Sequence, residues 1–248
     1  MKQPRKVVIL GGSRTPFVKS FTKYAKTTNQ DLLTAVLKDL AAKFRLEGQR
    51  VGDVAAGAVL KHSADFNLTR ESVIGAGLHP DTGGYDVQRA CGTSLETFNQ
   101  LALKIAFGQI DSGIAGGVDT NSDVPVVYPR EMGWKLLDLR AAQSPVDKLK
   151  ALSALSFSDL KPIFPGVMEP RTGMSMGDHT ELMVKEWKIS RMDQDELALR
   201  SHKAAAAAYA AGFYSDLVFP FKNVEKDGFV RGDTTLECPT DRRGIAQT

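Results

Sequence analysis

The sequence has only two cysteines among its 248 residues, Cys91 and Cys238. Two cysteines cannot form a disulfide framework, and neither stands in a CxxC pair or in a Cys/His cluster with the spacing of metal ligands. The sequence therefore predicts no bound metal and a protein of a reducing compartment, for which we expect a cytoplasmic location.

Long apolar runs and basic runs are also missing from the sequence. No apolar stretch approaches the roughly 20 residues that span a bilayer. The N-terminal MKQPRKVVILGG lacks a long apolar region and an Ala-x-Ala cleavage pattern, so no secretory signal is predicted. A net charge of +3, without a Lys/Arg run interleaved with aromatic residues, does not indicate nucleic-acid binding. With 42% hydrophobic and 25% charged residues, the composition is that of a globular protein.

The first 120 residues alternate short apolar runs with amphipathic helical patterns. This periodicity predicts strands at 7–10, 51–60, 85–91 and 112–119, and helices at 27–44, 68–78 and 94–109. Such an order predicts an α/β fold with a mostly parallel sheet covered by helices.

The pattern changes after residue 120. The region from 121 to about 173 is rich in proline and predicts loops with short helices, one of them around DKLKALSAL at 147–155. Two longer helices are predicted at 176–187 and 191–213, and the second begins with a capping-like ISRMDQDE.

Cys91 lies in YDVQRACGTSLETFNQ, where a predicted strand ends and a predicted helix begins. Residues 93–96, Thr-Ser-Leu-Glu, match a capping box, which places Cys91 just before the first helical turn. Free amides and the helix dipole at such a position favour a thiolate, and Gly92 allows a substrate to approach the backbone closely. Two interpretations stay open: a nucleophile at a helix N-terminus, or a buried thiol that serves as a small apolar side chain.

Several segments together resemble the thiolase family, the acyl-CoA:acetyl-CoA C-acyltransferases. They are SRTPF at 13–17, VQRACGTSL around Cys91, AGGVDTNSD at 115–123, and the long MSMGDHTELMVKEWKISRMDQDELALRSHKAAAA at 174–207. Within AGGVDTNSD, Asp119 stands where the family pattern has glutamate.

The resemblance implies that Cys91 is the nucleophile and forms an acyl-thioester, either in thiolytic cleavage of a 3-oxoacyl-CoA or in the reverse condensation. Coenzyme A and acyl-CoA would be substrates, and no covalently bound cofactor is implied. Substrate-binding positions carried over from the family are Met176 and Arg231, with His179 as a further candidate contact. The family also suggests a homodimer or homotetramer that acts in fatty acid β-oxidation.

The same resemblance divides the chain into an N-terminal thiolase domain at 1–120, an inserted helical loop domain at 121–237 and a tail at 238–248 unlike the family. The family's Asn-Glu-Ala-Phe, Gly-His-Pro and Cys-Gly-Gly motifs do not occur in this sequence. We therefore expect a thiolase-type layered α/β fold without its C-terminal half, and Cys238 is not interpreted as a second catalytic cysteine.

Two alternatives to a thiolase-type acyltransferase follow from the same residues. The first is a truncated, non-catalytic thiolase-like fragment that acts in dimerisation or coenzyme A binding. The second is a related condensing enzyme of the same fold, such as a ketoacyl synthase, which also uses a nucleophilic cysteine. The SRTPF segment and the 174–207 segment favour a thiolase over the second alternative.

Overall fold

A computed structural model of the chain describes residues 3–228. The chain divides into two compact units. The first lies within Met1–Asp123 and Val184–Thr248, and the second is Val124–Met183. The predicted division into domains at 1–120, 121–237 and 238–248 stays a prediction.

The first unit contains three short strands and four of the described helices. In chain order they are α1 (Asn29–Phe44), β1 (Asp53–Ala56), α2 (Leu68–Gly75), β2 (Gly83–Asp86), α3 (Thr93–Ala106), β3 (Gly113–Ala115) and a long later helix, Arg191–Ala210. The predicted β-α-β-α-β order from residue 51 onward is confirmed, with each element shorter than its sequence pattern.

The three strands form one sheet in the order β2-β1-β3, and both pairs are parallel. The chain passes from β1 through α2 to β2, and then from β2 through α3 past β1 to β3. Because such crossovers are right-handed, α2 and α3 lie on opposite faces of the sheet. β1 is accordingly buried on both sides: Val54 and Ala56 belong to the core cluster, and Ala55, which points the other way, is fully buried.

The core lies between the sheet and the pair α1 and α2. Both helices supply apolar side chains at helical spacing, and the loops that flank the strands supply the rest. The buried cluster comprises Leu33, Leu37, Ala41, Val51, Val54, Ala56, Ala58, Leu68, Val73, Ala76 and Leu78. α1 starts at a capping box in which the side chain of Thr28 accepts a hydrogen bond from the amide of Asp31.

The predicted strand at 7–10 is wrong. Within the described residues this segment pairs with no strand, and Val8, Ile9 and Leu10 are 62%, 74% and 82% exposed. The amide of Arg5 instead donates to the carbonyl of Ala106 at the end of α3, 2.8 Å away. A run of four apolar residues forms a strand only where its backbone pairs with a neighbouring strand. In the described residues the sheet ends at β3, and the segment 7–10 does not pair with it.

An ion pair ties the segment after residue 10 to the end of the described chain. The guanidinium of Arg14 donates two hydrogen bonds, of 2.7 and 2.8 Å, to the carboxylate of Asp227. The same carboxylate accepts a hydrogen bond of 2.8 Å from the amide of Phe17, and the amide of Asp227 donates to the hydroxyl of Tyr209. We call this arrangement the Arg14–Asp227 clamp; the side chain of Asp227 is only 6% exposed.

The second unit consists of short helices and turns. Its helices are α4 (Arg130–Ala141), α5 (Pro145–Ser153) and a 3-10 helix, Phe157–Leu160. The ammonium of Lys135 on α4 donates a hydrogen bond of 2.8 Å to Asp159 of the 3-10 helix. The helix predicted around 147–155 is confirmed, since α5 covers most of that range.

Two further helices follow, α6 (Met176–Glu186) and α7, the helix Arg191–Ala210. α7 begins at a capping box between Ser190 and Asp193, as its sequence predicts. Within residues 3–228, no helix has both the length and the apolar content needed to cross a membrane.

Candidate active site

Cys91 lies on a tight turn between β2 and α3. α3 begins at Thr93 with Gly92 as its N-cap, so Cys91 directly precedes the N-cap and lies just before the first helical turn, as predicted. The side chain is exposed, and the interpretation of Cys91 as a buried apolar thiol is therefore wrong. A thiol at this position is open to an incoming substrate and lies beside the positive end of the helix dipole.

The backbone of this turn is unusually constrained. Ala90, directly before Cys91, has a φ of +45°, a left-handed conformation that residues with a Cβ rarely adopt. The amide of Gly92 donates to the carbonyl of Arg89 and the amide of Thr93 donates to the carbonyl of Ala90, at 3.0 and 3.2 Å. The turn therefore presents the cysteine from a strained backbone that its neighbours hold in place.

The predicted capping box at 93–96 is wrong. Thr93 is the first helical residue rather than the N-cap, and its hydroxyl bonds the preceding turn instead of an amide of the helix. Glu96 accepts hydrogen bonds from Arg89 and Gln100. These bonds, from Gln100 first and then Arg89, lower the pKa of Glu96.

Glycines allow the loops that follow the three strands to meet at the carboxyl edge of the sheet. A Cβ on Gly57, after β1, would lie 1.9 Å from the carbonyl oxygen of Val87, after β2. A Cβ on Gly117, after β3, would lie 2.5 Å from the hydroxyl of Ser94 in the first turn of α3. This edge is where open parallel sheets bind ligands, so the glycines let the backbone close around the turn of Cys91.

Asp119 joins two of these loops. Its carboxylate accepts hydrogen bonds from the amides of Val59 and Leu60, at 3.0 and 2.8 Å. The loop after β3 is thereby fixed to the loop after β1. The residue that departs from the family pattern in the sequence thus has a structural role in this chain.

Asp86, the last residue of β2, joins the strand that precedes the turn to the start of α2. Its carboxylate accepts hydrogen bonds from the amides of Leu68 and Thr69, at 3.1 and 2.8 Å, and from the ammonium of Lys61 at 2.5 Å. Burial alone would raise the pKa of Asp86, but the hydrogen bonds from Lys61 and Thr69 outweigh it and hold the pKa below its ordinary value of 3.8.

The lowered pKa of Asp86 predicts a loss of stability in acid. Because the folded-state pKa is depressed, the stabilisation is present above the ordinary value and is lost as pH falls through the folded value. We expect the difference in free energy of unfolding between the wild type and Asp86→Asn to be largest above about pH 5 and to shrink toward pH 3. Urea unfolding of both chains across this range measures it; a difference that stays constant with pH would contradict the assignment.

The other predicted site residues belong to the second unit or lie outside the described residues. Met176 is the first residue of α6 and is 65% exposed. His179, one turn later, has its Nε2 3.3 Å from the hydroxyl of Thr172. Their roles in substrate binding stay predictions. Arg231 and Cys238 lie outside the described residues.

Residues 3–228 contain no group of three or more His, Cys, Asp or Glu side chains arranged to hold a metal ion. What the turn offers chemically is an accessible thiol with a helix N-terminus behind it. That combination suits nucleophilic attack on an electrophilic carbon, with the thiolate as the attacking species.

Three comparisons with known proteins bear on this site. The family model described as thiolase, N-terminal domain, matches residues 7–245. The 3-ketoacyl-CoA thiolase of Vibrio cholerae is 38% identical over 238 residues, which cover 94% of this chain and 55% of that protein. The 3-ketoacyl-CoA thiolase of Yersinia pestis is 37% identical over 241 residues, which cover 95% and 55%. The chain therefore spans about half the length of these relatives.

A solved structure of the Bacillus anthracis acetyl-CoA acetyltransferase is similar in fold. Its TM-score is 0.75 at 24% sequence identity, and the match covers 95% of this chain and 57% of that chain. This likeness confirms the predicted layered α/β fold class.

Proposed function

Because this chain belongs to the thiolase family, we propose that Cys91 is the nucleophile of an acyl transfer from an acyl-CoA thioester. The observation that carries the proposal is the exposed thiol on the strained turn at the N-terminus of α3. A buried or helix-internal cysteine would not support it.

The proposed step is a thioester exchange. The Sγ thiolate of Cys91 attacks the carbonyl carbon of the acyl-CoA, the bond from that carbon to the coenzyme A sulfur breaks, and coenzyme A leaves as a thiol after it takes up a proton. The acyl group then resides on Cys91 as a new thioester. In condensation, the carbanion of acetyl-CoA then takes this acyl group and forms a carbon–carbon bond. In thiolysis, the acyl group comes instead from a 3-oxoacyl-CoA: the thiolate attacks its C3 carbonyl carbon, the bond between C2 and C3 breaks, acetyl-CoA leaves after C2 takes up a proton, and coenzyme A then removes the acyl group from Cys91.

The finer parts of the proposal come from the relatives. Two relatives are named 3-ketoacyl-CoA thiolases, which supports 3-oxoacyl-CoA as the substrate class. Fatty acid β-oxidation as the setting stays a prediction. A homodimer or homotetramer and a cytoplasmic location stay predictions. Size-exclusion chromatography with light scattering tests the first of these.

Acetylation of Cys91 by acetyl-CoA is the decisive experiment. Intact mass after incubation is expected to show one acetyl group on the wild-type chain, because the first half-reaction leaves the acyl group on Cys91 as a thioester. Cys91→Ser is expected to show none. Cys238→Ser, which replaces the only other cysteine in the sequence, is the matched control and should be acetylated like the wild type.

Two outcomes would overturn the proposal. One is a folded wild-type chain that gains no acetyl group at saturating acetyl-CoA. The other is a chain in which Cys91→Ser is acetylated as extensively as the wild type, because the acetyl group would then reside on another residue. The first outcome would favour the alternative of a thiolase-like chain that binds without reacting.

A further inference from the structure

A side-chain hydroxyl adds to the backbone hydrogen bonds that close the turn of Cys91. Oγ1 of Thr93 accepts a hydrogen bond of 2.9 Å from the amide of Arg89 and donates one of 2.8 Å to the carbonyl of Ala90. Both bonds reach back over Cys91 to the residues before it. Thr93 is only 5% exposed, so water competes little for these contacts.

This hydroxyl bonds the backbone on both sides of the left-handed Ala90. Alanine at a φ of +45° is strained, and relaxation toward negative φ would rotate the peptide that leads into Cys91 and redirect its side chain. The hydroxyl of Thr93 accepts a hydrogen bond from the amide of Arg89, the residue before Ala90, and donates one to the carbonyl of Ala90 itself. It therefore opposes that rotation directly.

The methyl group of Thr93 has a separate contact. Cγ2 of Thr93 lies 3.1 Å from the position where a Cβ on Gly57 would be built. The side chain therefore packs its methyl over the backbone that follows β1 while its hydroxyl closes the turn. Threonine satisfies both requirements, whereas serine supplies the hydroxyl alone and valine fills the space without it.

We propose that Thr93 is a positioning residue, which acts through Cys91 by fixing the conformation of the turn in which the nucleophile attacks. This inference rests on the proposed function, because it assigns Thr93 to the acylation of Cys91. It makes no use of the second acceptor. Thr93 does not touch the reacting atoms; it determines where the thiol points.

Single-turnover acetylation of the full chain tests the inference. For Thr93→Val, which keeps the shape and removes both hydrogen bonds, we expect the maximal acetylation rate to fall by about 10- to 100-fold, since small misplacements of a reacting group cost that much. The acetyl-CoA concentration that gives half the maximal rate should not change. Thr93→Ser, which keeps the hydroxyl, should stay within about threefold of the wild type.

Thr97→Val is the matched control. Thr97 lies one turn further along α3, is fully buried, and donates its hydroxyl to the carbonyls of Ser94 and Gly116, at 2.9 and 3.1 Å. The same isosteric change there removes a buried hydroxyl from the same helix without opening the turn. We expect a comparable loss of melting temperature and little change in the acetylation rate.

The outcomes separate this inference from the proposed function. A wild-type chain that is not acetylated overturns the proposed function, and the role of Thr93 with it. A wild-type chain that is acetylated, with Thr93→Val equally fast or Thr97→Val equally slow, overturns the role of Thr93 alone. If Thr93→Val does not fold, Thr93→Ser and Thr93→Ala replace it, since both lack the methyl and differ only in the hydroxyl; equal rates for that pair would also overturn the inference.

Discussion

Replacement of Gly57 by alanine is expected to destabilise the protein by about 3 kcal/mol or more, because the new Cβ has no room and the atom it meets is backbone. That Cβ would lie 1.9 Å from the carbonyl oxygen of Val87. Val87 is held in turn by a hydrogen bond of 2.8 Å from its amide to the carbonyl of Ala56. Relief of the contact therefore requires β1 and β2 to separate at the edge where Cys91 is presented.

Gly116→Ala is the matched control for this prediction. Gly116 occupies the corresponding position after β3. Apart from the two residues beside it in the chain, no residue of 3–228 has an atom within 4 Å of a Cβ built there. Its replacement should change the free energy of unfolding by no more than about 0.5 kcal/mol. Urea unfolding followed by circular dichroism measures both variants, and equal stabilities would show that the loops can separate without cost.

Asp227→Asn is expected to cost about 3 kcal/mol, because it leaves the guanidinium of Arg14 beside a buried neutral amide. The wild-type carboxylate accepts three hydrogen bonds, two from Arg14 and one from the amide of Phe17. Burial alone would raise the pKa of Asp227, but the bonds from Arg14 and Phe17 lower it below its ordinary value. The carboxylate is therefore the form that the folded chain stabilises.

An exposed ion pair provides the comparison for the Arg14–Asp227 clamp. Asp111, whose side chain is 89% exposed, accepts a hydrogen bond of 2.7 Å from Arg5. Asp111→Asn should cost less than about 1 kcal/mol, as exposed pairs do. Thermal unfolding of both variants at neutral pH distinguishes them; a clamp variant as stable as the exposed-pair variant would mean that Arg14 finds other partners.

Periodicity in the sequence predicted the elements that pack on one another locally. The helical stripe that contains Leu33 and Leu37 is the buried face of α1, and the strand–turn–helix around Cys91 is in place. The strand at 7–10 was not predictable from its own residues, because whether an apolar run becomes a strand depends on a partner edge supplied by other parts of the chain.

The details of the candidate site show where pattern reasoning reaches its limit. The sequence around Thr93 fits a capping box, yet the hydroxyl bonds the preceding turn because the left-handed Ala90 brings an amide and a carbonyl within its reach. No sequence pattern marks a left-handed alanine. The close approach at Gly57 did have a signal, a glycine inside the predicted strand at 51–60, which often indicates that another backbone comes near.

The Arg14–Asp227 clamp also sets an order of events during synthesis. Its two residues are separated by 213 positions, so Arg14 is synthesised about 10 to 40 s before its partner at ordinary elongation rates. Throughout that interval the first residues of the chain lack the contact that later fixes them. The contacts of Arg14 and Phe17 with Asp227 are therefore among the last that the first unit can form.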